Sequence, residues 1–281
     1  MNSAVPTISW IPVRIFSAVL EDQSLSVPQW LRSARDFGLS AVELYHPFLS
    51  RLDLQDTKAM LDELGIKVSL VTCSPDISHP EPSIRQMEMN NARQALKDAA
   101  ALGATGIRCT TGQAHPGLEE QEGLKIVSEG LISLAEEAEK LGVKVALENH
   151  YRDRMCMEYP DFAHKKEVFF KLWDLVKDSP VAINLDCSNP VMVGDSPLEI
   201  MDVVGDRIVS IHASDRKSGT YLHTAIGDGD VDYPAVFARL KDMDYSGWIS
   251  IEDGQPDGDA GFQKSLHYVR GLVDRFWPAK G

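Results

Sequence analysis

Four stretches of the chain share one pattern: an apolar, largely β-branched run that stops abruptly at a side chain able to carry charge or bind a metal. KVALENH (144–150) runs into Glu148, VAINLDC (181–187) into Asp186, IVSIHASD (208–215) into His212 and GWISIEDG (247–254) into Glu252. An ionised side chain at the end of a buried strand needs a partner, because desolvating an unpaired charge is costly. The four endings are separated by 38, 26 and 40 residues, close to the ~30 or more residues of a strand–helix–strand unit. Parallel strands recurring at that interval bring all four ends to one side of one sheet.

The rest of the sequence carries the same rhythm. Val13–Ala18 (VRIFSA) reads as the first strand, after about twelve ambiguous residues. A helix follows over Val27–Phe37, with Ser26 as N-cap, Pro28 in the first turn and Gly38 as its stop. Ala41–Tyr45 is the second strand, Leu54–Leu64 a helix closed by Gly65, and Lys67–Cys73 the third strand. Ser74–Pro82 holds three prolines and reads as a loop on the substrate side. A helix over Ser83–Leu102 leads to the fourth strand, Ile107–Thr111. Leu124, Val127, Leu131, Leu134, Ala138 and Leu141 recur at alternating steps of three and four, a helical stripe. After the fifth strand come a long polar loop, a helix over Asp161–Lys177, the sixth strand, a helix over Ser196–Val204 and the seventh strand. A mixed polar loop (214–232), a helix over Tyr233–Met243, the eighth strand and a helix over Gly261–Phe276 complete the chain.

Eight strand-then-helix units without a break in composition predict an α/β fold, a (β/α)8 TIM barrel in one domain spanning residues 1–281. The chain of 281 residues suits one such barrel of ~250 residues. The longer loops follow the strands, the side on which barrel enzymes place function, and all four candidate side chains fall there. A net charge of −14 argues against a nucleic-acid partner. No apolar run reaches the ~18 residues of a membrane span, and the N-terminus lacks a leader pattern, so a cytoplasmic location is expected. Cys73, Cys109, Cys156 and Cys187 form no CxxC pair. Three of them fall on or beside expected buried strands, which reads as small buried hydrophobes in a reducing compartment.

Three carboxylates converging at a barrel mouth repel one another, by ~4 kcal/mol per pair at ~4 Å and an effective dielectric of about 20. Either protons or a cation must relieve that repulsion. One imidazole with three carboxylates suits a single divalent ion: Mn²⁺ first, with Mg²⁺, Co²⁺ or Zn²⁺ as alternatives. Glu148, Asp186, His212 and Glu252 are the expected ligands. Such an ion polarises a carbonyl and a neighbouring hydroxyl. Glu148 and Glu252, on different strands, can then remove and return a proton through an enediolate, giving epimerisation or isomerisation. With a leaving group β to the carbanion, the same groups give elimination.

These residues resemble the sugar isomerase/epimerase superfamily of xylose isomerase-like barrels, which includes ketose 3-epimerases, inosose isomerases and dehydratases, hydroxypyruvate isomerase and endonuclease IV. The resemblance is carried by ALENH (146–150), INLDCSN (183–189), HASDR (212–216), HTAIGDGDVDY (223–233) and YSGWISIED (245–253). It implies the same four ligands, the same pair of glutamates as acid and base, and a small carbohydrate or cyclitol substrate. It also leaves room for a homo-oligomer, a dimer or tetramer. Arg216 resembles the arginine that grips substrate oxygens in ketose 3-epimerases. Asn189 stands where those enzymes carry a histidine, which weighs against a simple ketose 3-epimerase and against a trinuclear nuclease site built with His46, His115 and His223. The expected substrate-binding residues are Arg216, Asn189, His150, His223, Glu43 and His46. A lyase or dehydratase is the alternative, followed by a sugar-binding barrel without turnover. Arg152–Arg154 is a weak phosphate candidate, and Trp10, Phe16 and Tyr45 are candidates for stacking on a sugar ring. His164 and His267 fall on outer helices without a chemical role.

Overall fold

The computed structural model describes residues 4–152 and 157–279; Arg154 and Cys156 lie outside the described residues. Eight parallel strands, β1 (Thr7–Ile11), β2 (Ala41–Tyr45), β3 (Lys67–Thr72), β4 (Gly106–Cys109), β5 (Lys144–Glu148), β6 (Ala182–Asp186), β7 (Ile208–Ala213) and β8 (Trp248–Glu252), hydrogen-bond in the order β1-β8-β7-β6-β5-β4-β3-β2. The two end strands, β1 and β2, lie side by side and nearly close the barrel. The longer helices outside it are α1 (Val27–Asp36), α2 (Leu54–Leu64), α3 (Pro82–Leu102), α4 (Glu120–Leu141), α5 (Lys166–Val176), α6 (Pro197–Val204), α7 (Tyr233–Asp242) and α8 (Gly258–Phe276). Among the described residues no helix is long and apolar enough to cross a membrane.

Local signals set these boundaries. Ser26 and Gln29 form a reciprocal capping box at the start of α1, satisfying amide groups that the helix itself leaves orphaned. The Asp53 carboxylate accepts from the Gln55 and Asp56 N–H groups at the start of α2. The strands alternate in the two-residue period of a sheet. Ile107, Val145, Leu147, Ile183, Leu185, Ile211, Ile249 and Ile251 are buried in the apolar core. The intervening positions hold small or polar residues, among them Ser9, Glu43, Asn184, Ser210 and Ser250, all fully buried. The core is therefore the apolar layer between strands and helices, while the barrel axis is polar. Buried Cys73, Cys109 and Cys187 belong to the packed interior, and Cys187 lies beside Tyr233 of α7.

Three expectations need correcting. The first strand is Thr7–Ile11, paired residue for residue with Trp248–Glu252. Pro12 has no N–H to donate to a ladder, and Val13–Ile15 and Phe16–Leu20 form a 3-10 turn and a short helix. Helix α5 starts at Lys166 rather than Asp161. The Asp161 carboxylate instead accepts from the Thr111 hydroxyl and from the N–H groups of Thr111 (3.2 Å) and Ala163 (2.9 Å). The loop 214–232 contains an antiparallel pair, Asp215–Arg216 with His223–Thr224.

Gly106 marks the tightest strand contact. A Cβ there would lie 2.0 Å from the Lys144 carbonyl oxygen of β5, so β4 cannot hold its place beside β5 with a side chain at 106. Gly106→Ala should lower stability in equilibrium urea unfolding by ~1–3 kcal/mol, the usual cost of forced overpacking. Gly271→Ala, on the exposed face of α8 with nothing within 4 Å, should raise it by up to ~1 kcal/mol.

Candidate active site

Strands β5, β6, β7 and β8 are consecutive neighbours in the sheet, and their ends converge. Ligand-type atoms of Glu148, Asp186 and His212 all lie within 4.8 Å of one another. His212 Nδ1 faces Glu148 Oε1 at 3.0 Å and Glu252 Oε2 at 3.9 Å. Glu148, Asp186 and His212 are almost completely buried. Asp186 and His212 are fixed by their strands and by hydrogen bonds to neighbours, Glu148 by its strand and an ion pair. Asp186 Oδ1 accepts from the Ser188 and Asn189 N–H groups at 2.8 and 2.6 Å, and its Oδ2 accepts from the Ser214 hydroxyl at 2.9 Å. The Asn149 side chain brackets the end of β6, accepting from the Asp186 N–H at 2.8 Å and donating to its carbonyl at 2.9 Å. Glu252 is steadied through Asp253, whose carboxylate binds Arg14 Nε at 2.6 Å and Trp10 Nε1 at 3.2 Å.

Beneath this set lies Glu43. It accepts from His212 Nε2 at 2.9 Å, from Ser250 Oγ at 2.7 Å and from the Thr72 hydroxyl. Fully buried, it orients His212 and lies away from the cavity, whereas the sequence had placed it on the substrate side. His46 also differs from expectation. Its Nε2 meets Asp98 of α3 at 3.2 Å, and it does not line the cavity. The residue that sequence reasoning missed is Arg108 of β4, buried and ion-paired through Nε with Glu148 Oε2. An arginine between apolar neighbours in GIRC was the available signal.

The electrostatics separate the two glutamates. Burial opposes ionisation of Glu148, but Arg108 and His212 outweigh it and hold the carboxyl below its ordinary pKa. Burial, reinforced by the charges of Asp186 and Glu148, pushes Glu252 up to about 8. Burial alone would neutralise His212, yet Glu43 and Glu148 raise its pKa well above the ordinary value.

Glu252 opens onto a cavity of about 220 Å³, which Glu148, Asp186 and His212 do not line; it is smaller than the ~300–1,000 Å³ of typical drug-sized sites and scaled to a small solute. Glu252, Arg108, His150, Asn189, Arg216 and His223 form its polar lining. Ile11, Val13, Phe16, Tyr45 and Leu222 form an apolar wall, in which the Phe16 and Tyr45 rings stack at 4.3 Å. Trp10, by contrast, is core, stacked on Phe262 at 4.4 Å.

Arg216 is aimed by the short hairpin. Its guanidinium donates to Asn189 Oδ1 at 3.2 Å and to His223 Nε2 at 2.6 Å, while Nε is buried with no hydrogen-bond partner among the described residues. Burial and the Arg216 charge push His223 down to about 3, so it stays a neutral acceptor. The neighbouring Asp215 carboxylate gathers the N–H groups of Gly227, Gly229, Val231 and Arg216. A Cβ at Gly229 would lie 1.9 Å from Asp215 Oδ1; this is the physical content of the GDGD stretch. His150 lies 3.9 Å from Asp161 through Nδ1. Arg152 also lines the cavity, with its Nε donating to the Met157 carbonyl.

The residues present fit a divalent cation. Glu148 Oε1, His212 Nδ1 and Glu252 Oε2 are buried without a hydrogen-bond partner among the described residues, and they converge, with Nδ1 3.0 Å from Glu148 Oε1 and 3.9 Å from Glu252 Oε2. Three carboxylates and an imidazole are the donor chemistry of a hard-to-borderline divalent ion.

Comparison with known proteins agrees with this fold. The family described as xylose isomerase-like TIM barrel matches residues 31–272. An inosose dehydratase of Geobacillus kaustophilus is 27% identical over 164 residues, 52% of this chain and 51% of the relative, so the match spans about half of that protein's length. The L-ribulose-5-phosphate 3-epimerase UlaE of Shigella flexneri is 24% identical over 245 residues, covering 79% of this chain and 80% of the relative. The solved structure of the IolI protein with a zinc atom superposes with a TM-score of 0.78 at 15% identity, covering 97% of this chain and 100% of that one. At that identity it speaks for the fold.

Two measurements probe the site. Glu43→Gln keeps an acceptor for His212 but removes the charge; it should weaken divalent-metal affinity ~10–100-fold while circular dichroism stays unchanged. His223 binds protons less readily folded than unfolded, so the unfolded state takes up more protons between pH about 6.5 and about 3. Its share of stability is complete above the unfolded pKa and is lost as the pH falls through that window. His223→Gln should therefore lose less stability than wild type on going from pH about 7 to about 5 in urea titrations.

Proposed function

The chain belongs to the xylose isomerase-like TIM-barrel family, and on that footing we propose that it is a divalent-metal-dependent isomerase or epimerase. Its substrate is a small polyhydroxy carbonyl compound, a ketose or an inosose. The observation that carries the reading is the placement of Glu148 and Glu252 on β5 and β8, flanking Asp186 and His212, with Glu252 in the wall of one small polar cavity. Glu148, Asp186, His212 and Glu252 would hold the cation, with Mn²⁺ the first choice and Mg²⁺, Co²⁺ and Zn²⁺ the alternatives. When bound, the ion supplies polarisation of a carbonyl and so acidifies the adjacent C–H.

The chain's own residues do the rest. Glu148, held ionised by Arg108 and His212, takes the proton from the carbon beside the carbonyl. Glu252, whose carboxyl is the more basic of the two, returns one to the opposite face or to the neighbouring carbon. Environments that push two carboxyls apart are the usual way to divide acid from base. Arg216, Asn189, His150 and His223 hold the substrate's oxygens. The apolar wall of Phe16, Tyr45 and Leu222 shields the carbanion from water.

One observation favours a second reading: the similarity to an inosose dehydratase. The same proton abstraction followed by loss of a β-hydroxyl as water is a dehydration. Both reactions share Glu148 as base and differ in what leaves.

Proton NMR in D₂O, with Mg²⁺- or Zn²⁺-loaded protein and a panel of ketoses, inososes and 3-keto-glycosides, separates them. Deuterium entering beside the carbonyl with the skeleton intact is the expected result, and an enone appearing instead assigns the dehydratase. Glu148→Gln should cut exchange by ~10²–10⁴-fold without loss of fold. Arg216→Ala should raise KM or lower kcat and leave the metal content unchanged; loss of metal would remove Arg216 from substrate binding. No exchange with any panel member in the metal-loaded protein would count against catalysis on these compounds.

A further inference from the structure

Away from the barrel axis, the loops after β3 and β4 gather a second set of metal-ligand side chains. Asp76 and His79 come from the proline-rich segment 73–81, and His115 comes from 110–119. One ligand-type atom of each lies within 4.8 Å of the other two, and none of the three lines the cavity. His115 Nε2 is 2.8 Å from Asp76 Oδ2, and the His79 and His115 rings meet edge to face with centroids 4.6 Å apart. Asp76 is held ready. Its Oδ1 accepts from the Gln113 N–H at 2.9 Å, and its Oδ2 accepts from Gln113 Nε2 at 2.8 Å. The backbone at Gly112 (φ +97°) passes so close that a Cβ would lie 2.5 Å from both Asp76 Oδ1 and Ser78 Oγ. His79 Nδ1 accepts from the Glu81 N–H at 3.0 Å. That N–H is on the exposed side, so water replaces the bond when the imidazole turns a lone pair to a cation.

We propose that Asp76, His79 and His115 form a second divalent-metal site, of the zinc class, that clips together the loops at the mouth of the barrel. Two imidazoles and a carboxylate are a donor set of tetrahedral zinc sites, with a fourth position for water, and imidazole favours late first-row ions over Mg²⁺ or Ca²⁺. An expected count of two ions rests on the reading of the barrel site as a metal site, whereas a barrel-site variant tests this second site by itself. The clip reaches a third loop as well. Gln113 Oε1 accepts from the Glu158 and Tyr159 N–H groups at 2.6 and 3.0 Å, the Ala114 N–H donates to the Pro160 carbonyl at 2.8 Å, and the Tyr159 ring packs 5.6 Å from His115. That third loop follows β5 and carries His150 and Arg152 to the cavity wall. A cation at Asp76, His79 and His115 therefore braces the segment that shapes one side of the cavity, from outside it.

The test is stoichiometry with Zn²⁺ and spectroscopy with Co²⁺. Chelator-stripped full-length protein, reloaded with Zn²⁺ and freed of excess, should hold about two equivalents per chain by elemental analysis. His79→Ala with His115→Ala should hold about one, as should Asp186→Asn with His212→Asn, and the four changes together should hold none. In the Asp186→Asn, His212→Asn background, Co²⁺ should give visible d–d bands that vanish on adding His79→Ala and His115→Ala. Zn²⁺ should also slow proteolytic cleavage within 149–165 at least several-fold in that same background. A Zn²⁺ count unchanged by His79→Ala with His115→Ala, or a barrel-site variant that retains no Zn²⁺ and gives no Co²⁺ bands, overturns the proposal.

Discussion

An imidazole held between two carboxylates, His212 between Glu43 and Glu148, fixes the arrangement at the barrel axis. At ~3 Å and an effective dielectric of about 20, each such contact with a charged imidazole is worth ~5 kcal/mol of attraction. Removing each ion from water costs several kcal/mol in return, so the trio contributes little net stability. What it contributes is position. Glu43 sets the ring from below, Arg108 turns Glu148 towards it, and Asp186 and Glu252 are presented from the next strands. A cation that takes His212 Nδ1 as a ligand must displace any proton there, so binding at the axis is coupled to proton release.

The polar axis follows from the alternation of the strands. Their apolar residues face the helices and bury against them, leaving serines, Asn184 and the charged groups to fill the inside. In a barrel with an apolar interior a strand-end carboxylate would meet hydrocarbon. Here it meets Ser214, Ser250, Thr72 and backbone N–H groups, each a donor already in place.

The meeting of Glu148, Asp186, His212 and Glu252 was legible because each ends an apolar run on a strand, and parallel strands at regular intervals put such ends together. Arg108 was legible only as a charge among the apolar neighbours of GIRC; its pairing with Glu148 was not, because that partner is contributed by β5. Glu43 was legible as an inward residue on β2, but its service to His212 depends on a neighbour 169 positions away. The first strand was misplaced because VRIFSA and TISWI are both apolar-rich, and only pairing with β8, with Pro12 as the break, separates them. The hairpin escaped notice because it is held by one carboxylate, Asp215, rather than by an alternating apolar pattern. Helix α5 opened late for a similar reason: the Asp161 side chain is committed to Thr111, in the loop after β4, and to the turn ahead of the helix.

The strands and loops divide the work. The ends of β5 to β8 hold groups whose geometry is fixed by the sheet, whereas Asn189, Arg216, His223 and Arg152 of the cavity's polar lining hang on short irregular segments. The hairpin bearing Arg216 and His223 is tied down at its base, where Asp215 collects four backbone N–H groups, and its tip, which includes the exposed Leu222, is not part of the barrel ladder. For a protein engineer this makes 217–222 a replaceable cassette. Its length and composition can be diversified to rebuild the rim above the carboxylates, provided Asp215 and Gly229 are retained as the fixed joints between which new sequences are spliced.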